Sequence, residues 1–126
     1  MKALDTYQSE AYALLRIVSG FMFSFHGAQK ILGWYADSRV AFGSQMWVGG
    51  WIELAGGALI MLGLVSRWAA FIASGEMAVA YIQFHWKGQL GDHLLPGINH
   101  GEMALLYSFI FLLIATRGPG KWALGR

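Results

Sequence analysis

Four apolar stretches, 11–33, 46–65, 68–86 and 99–116, take up most of this 126-residue chain. Each approaches the ~20 residues that carry a helix across the hydrocarbon core of a bilayer. Backbone groups in lipid must find partners within their own segment, which makes the helix the natural form for such stretches. Pro96 and Pro119 fall between or beyond them, so no span contains a proline that would break it. The pattern predicts an all-α fold: an integral membrane four-helix bundle running up-down-up-down, with residues 1–126 as a single domain. Of the connections, 34–45 has room for a short surface helix, the one at Ser66 and Arg67 is very tight, and 87–98 is a loop containing glycine and proline.

At 56% hydrophobic and 13% charged residues, the chain is too apolar for an ordinary soluble domain and points to the lipid bilayer as its partner. Trp34, Trp47, Trp51 and Trp86 stand near the ends of the stretches on one side, and Trp68 and Trp122 on the other, where amphipathic rings favour the headgroup region. Most of the 17 glycines lie inside the stretches, where a missing side chain lets helices approach closely. The net charge of +2 comes with no basic run, which excludes a nucleic-acid grip. With no cysteine, disulfides, thiolate-held iron–sulfur clusters and thioether-linked haem are excluded.

The start, MKALDTYQSE, is nearly neutral and lacks the basic region and cleavage site of a signal peptide, so the first stretch reads as a retained span. Lys2, Arg16, Arg67, Arg117, Lys121 and Arg126 fall on the side of the termini, against Lys30, Arg39 and Lys87 on the other. The bias of basic residues toward the inside predicts a multi-pass protein of the cell inner membrane with both termini cytoplasmic.

Arg16, Gly20, Phe23, Gly27, Lys30 and Gly33 share one helical face, and so do Gly49, Glu53, Gly56, Ile60, Gly63 and Arg67. Such stripes are expected to face partner helices. Arg16 and Lys30 lie about 21 Å apart along a helix, at 1.5 Å per residue, and can snorkel to opposite surfaces. Glu76 is too deep and too short for that, so it is either protonated and hydrogen-bonded, paired with a cation such as Arg16, or a carrier of protons. His26, Lys30, Glu53, His85, Asn99, His100 and Glu102 all fall toward one end of the bundle, under the loop that carries Asp92 and His93. If they face inward they form a polar chamber. No helix-spaced histidine pair and no two-histidine carboxylate motif is present, which argues against a metal site and against a His26/His85 haem.

The segments RIVSGFMFSFHGAQKILGW, GGWIELAGGALIMLGLVSRWAAF, IASGEMAVAY and INHGEMALLYSFIFLLIATRGPGKW resemble the DoxX family of four-helix bacterial membrane proteins over nearly the whole chain. The resemblance rests on Arg16, Gly20, Phe23, Gly27, Lys30 and Gly33, on Glu53, Gly56, Gly63 and Arg67, and on Asn99, Gly101 and Glu102. Members often close with glycine-proline-glycine, tryptophan, serine and aspartate. This chain keeps Gly118, Pro119, Gly120 and Trp122 but has Ala123 and Gly125 where the pattern differs. The resemblance implies quinone chemistry, because the family takes in the small subunit of thiosulfate:quinone oxidoreductases.

Quinone reduction consumes protons at membrane depth. Glu53, Glu102, His26 and His85 are candidates to carry them, and Lys30 or Arg67 to polarise a carbonyl oxygen. Lys30, Glu53, His85, Asn99 and Glu102 are the candidate quinone-binding set, with Arg16, Arg67 and Glu76 as buried structural or proton-handling groups. No electron carrier is visible, so an oxidoreductase role requires a partner subunit or homo-oligomer that supplies electrons. The rival reading is a non-catalytic membrane scaffold or assembly partner, in which the polar stripes are interhelical glue. A proton-coupled carrier centred on Glu76 fits less well with four short unbroken helices.

Overall fold

The computed structural model describes residues 1–125. Arg126, counted above with the basic residues of the terminal side, lies outside the described residues. Two close helix pairs make up the architecture, and small residues decide where each pair touches. Helix α1 (Gln8–Leu32) lies antiparallel to α2 (Gln45–Leu62), with Gly20 and Gly27 set against the backbone of Gly57, Met61, Leu54 and Gly50. A Cβ at Gly20, Gly27 or Gly57 would collide with main-chain atoms of the facing helix. The packing glycines of α2 are therefore Gly50 and Gly57, each one residue on from the Gly49 and Gly56 of the sequence stripe. Gly56 faces open space.

Helix α3 comprises Ser66–Ala80, continued by a wider π-helical turn over Tyr81–Trp86, and lies antiparallel to α4 (Glu102–Arg117). Ser74 and Ser108 bind each other's carbonyls across this pair, at 2.7 and 3.1 Å. Between the two pairs sits a small aromatic core in which Phe23 packs edge-on to Phe111 and Tyr107 stacks on Phe111. The fold is all-α. Among the described residues, Gln45–Leu62 is the one helix both long and apolar enough to cross a membrane by length and composition. Arg16, His26, Gln29 and Lys30 lower the hydropathy of α1, and α4 has only 16 residues.

Several sequence expectations are revised. The connection 34–45 forms turns and bends instead of a surface helix. The tight reversal lies at Gly63 to Val65, both in left-handed conformation, one step before Ser66. The 87–98 loop contains a 3₁₀ turn, Gly91–Leu94, and the start of a single helical turn, Pro96–Asn99. The helices are also less uniform than the absence of proline suggested. Helix α2 widens into a π-helical turn over Ile52–Gly56, flanked by glycines that weakly resist unwinding. Ser24 Oγ donates to the Leu54 carbonyl in this turn at 3.0 Å.

Arg16 does not snorkel. It is 0% exposed, and its guanidinium donates to the carbonyls of Ile60, Met61, Lys121 and Trp122 at 2.6 to 3.1 Å. Those carbonyls belong to the last turn of α2, where a helix end leaves such groups short of partners, and to the chain after α4. Arg67, exposed instead of buried, does the same for α4 through the carbonyls of Ala115, Thr116 and Arg117. One end of the bundle is thus tied by two arginines.

Candidate functional site

The polar chamber lies toward the opposite end. Lys30, at the last turn of α1, donates through Nζ to Glu53 Oε1 at 2.7 Å, an ion pair whose carboxylate side chain is only 4% exposed. The π-helical turn carries Glu53 on its inner side, where it reaches across to α1. This pair borders a cavity of about 650 Å³ lined by all four helices. Its walls are mostly apolar, with Phe23, Ile52, Met77, Met103 and Ala104 prominent. Val48, Val79 and Met103 are about half exposed, so apolar residues also form its lateral openings.

Both π-helical turns border this space, one through Ile52 and Glu53 and the other through Phe84 and His85. A π turn inserts a residue into the helical repeat and so redirects the side chains around it, an arrangement often found at functional sites. Gln45 and Gln83 exchange amide hydrogen bonds of 2.6 and 3.2 Å between α2 and α3 beside the second turn.

Of the sequence-selected residues, His26, Lys30, Glu53, Glu76, His85 and His100 line the cavity. Glu76 does not pair with Arg16, whose terminal guanidinium nitrogens bind carbonyls at the other end of the bundle. Its carboxylate sits instead beside Gly49, with Oε1 2.8 Å from the point a Cβ there would occupy. Two of the candidate quinone-binding set stand elsewhere. Asn99 is buried but spends its amide on Tyr81 Oη and the His93 carbonyl, and its Oδ1 accepts from the Gly101 N–H. It fixes the loop before α4.

Glu102 is exposed and borders a separate apolar groove of about 410 Å³ between α1 and α4. Helix α4 turns Met103, Ala104 and Tyr107 toward the cavity, and Glu102, about 100° around the axis from Met103, points away. Its place in the first turn suits a carboxylate for a different reason, the positive end of the helix dipole. Among the described residues, no group of three histidines and carboxylates could hold a metal ion.

Sequence reasoning missed Tyr107, which is 5% exposed, lines the cavity and lies edge-on to His26 with ring centroids 6.4 Å apart. It stands three residues on from Ala104 and four from Met103, which puts it on the helical face those two turn toward the cavity. Three buried polar atoms on the cavity residues have no partner within the protein: Glu53 Oε2, Glu76 Oε2 and Tyr107 Oη.

Helices with apolar outer faces around an enclosed ion pair define a helical membrane protein. The chain belongs to the DoxX family, whose model matches residues 11–86. It is similar to an uncharacterized protein of Haemophilus influenzae, with 43% identity over 128 residues covering 98% of this chain and 95% of that one. It is also 28% identical to an uncharacterized membrane protein of Mycobacterium tuberculosis, over 89% of this chain and 77% of the relative. No solved structure matches it.

Proposed function

We propose that the chain is a membrane subunit of a quinone-linked oxidoreductase system and binds a quinone, or a similar small hydrophobic molecule, in the cavity beside Lys30 and Glu53. In this reading residues 1–126 form one domain, and the four helices span the inner membrane with both termini cytoplasmic. The cavity then opens toward the outer leaflet.

The observation that carries the proposal is the set of unpartnered polar atoms on Glu53, Glu76 and Tyr107 around an otherwise apolar space. A buried polar group without a partner is costly, so a ligand that is flat, apolar and polar at its edge offsets a penalty the empty protein bears. The residues fit a quinone in that sense. When bound, such a ring supplies the two-electron chemistry that this chain's side chains lack.

The chain's own groups bind and orient. Lys30 keeps two N–H donors beyond the one given to Glu53, and a donor there stabilises negative charge on a neighbouring oxygen. Glu76 holds or releases a proton at Oε2, within the same cavity and unencumbered by any hydrogen bond. His26 and His85 offer further proton-exchanging nitrogens on the wall. Electrons are exchanged with a partner subunit.

Purification from native membranes, followed by solvent extraction and quantification of total quinone in both redox forms, tests this reading. A near-stoichiometric yield is expected, reduced by Glu53→Gln. Protein that carries no quinone above the level of its bulk lipid overturns it.

A further inference from the structure

Donor and acceptor bookkeeping at the cavity separates the two redox forms of the ligand. Glu53 Oε1 accepts the Lys30 ammonium, and a carboxylate held this way remains an acceptor at Oε2 as well. That oxygen is unpartnered on a residue only 3% exposed. Tyr107 Oη can give or accept, and Glu76 Oε2 accepts when ionised. An oxidised quinone brings two carbonyl acceptors and no donor, so it engages Tyr107 and Lys30 but leaves Glu53 Oε2 facing another acceptor. The reduced form brings two hydroxyls, each with a proton to give.

We infer that the cavity is selective for the reduced, dihydroxy-aromatic form of its ligand, held by a ligand O–H donated to Glu53 Oε2 with Tyr107 Oη completing the contact. This rests on the quinone reading above and specifies which form occupies the site. Polar mismatch at a buried acceptor discriminates more strongly than a change of apolar size, because the protein atom is left without any partner.

The test is equilibrium binding to the full chain in lipid nanodiscs, under anaerobic conditions, with a short-chain benzoquinone and its quinol as the two probes. The quinol is expected to bind about tenfold tighter or better. Glu53→Gln places an amide N–H donor at the same position and is expected to abolish or invert that preference. Because this change strands Lys30, the double variant Lys30→Met/Glu53→Gln removes both charges together and is expected to bind the two forms with affinities within about threefold of each other. Equal or tighter binding of the quinone by the unaltered protein overturns the inference and leaves the quinone reading standing. A quinol preference that survives in the double variant overturns the assignment to Glu53. Failure of both forms to bind overturns the quinone reading itself.

Discussion

Glu76 on α3 occupies the space that a side chain at Gly49 on α2 would fill, its Oε1 lying 2.8 Å from that Cβ position. The atom at risk is the end of a flexible side chain, not main chain, so an added methyl displaces the carboxylate without parting the helices. Gly49→Ala is expected to keep or slightly raise thermal stability, since alanine favours a helix over glycine by about 0.8–1.0 kcal/mol. Ligand affinity is expected to fall about tenfold. Parallel melting and binding measurements check the split, and a loss of both would show that Gly49 serves the fold instead.

The Lys30–Glu53 pair joins α1 to the π-helical turn of α2. Lys30→Met leaves an uncompensated buried carboxylate, a change that costs about 3–5 kcal/mol when one partner of a buried pair is removed. Lys30→Met/Glu53→Gln is expected to recover most of that. Detergent-melt curves of the single and double variants read the difference.

Arg16 donates to four carbonyls, drawn from α2 and from the segment after α4. Arg16→Met is expected to loosen residues 121–125, whose remaining hydrogen bonds to this end are the one from Lys121 to Glu10 and the backbone bond from Leu124 to Leu62. Faster protease cleavage in that segment, with no change in the rate at the loop 87–98, is the expected pattern.

Glu10 lies in the first turn of α1 and accepts a hydrogen bond from Lys121. That bond holds its carboxyl below the ordinary carboxylate range. A carboxyl lowered in the folded state contributes stability above its unfolded pKa and loses it as pH falls through the folded one. Docking of the C-terminal segment is therefore expected to weaken on acidification, and Lys121→Met is expected to remove that pH dependence. Fluorescence of Trp122 against pH in the two proteins gives the comparison.

The helical class was legible in the sequence because apolar stretches near the length of a bilayer constrain the backbone strongly, whatever their partners. The face shared by Arg16, Gly20, Phe23 and Gly27 was equally legible, since helical periodicity alone determines which side chains point the same way. The position of Lys30 beside Glu53 followed from that face and from an antiparallel neighbour. Periodicity failed where the helix itself departs from 3.6 residues per turn. The π-helical turns at Ile52–Gly56 and Tyr81–Trp86 have no proline to announce them, and they alter which glycines touch α1.

Function depends on what the tertiary structure alone decided. Glu102 looked equivalent to Glu53 as a carboxylate at one end of a helix, yet one residue's rotation puts it on the far side of α4 from the cavity. Arg16 looked like a membrane anchor and Arg67 like a buried or carbonyl-polarising group, and only the approach of foreign helix ends shows that both bind backbone carbonyls there. Tyr107 drew no notice among apolar neighbours until its hydroxyl was found without a partner. The reason is common to all three: a sequence fixes the angle at which a side chain leaves its own helix, but its hydrogen-bond partners belong to other helices, and only packing brings them within reach.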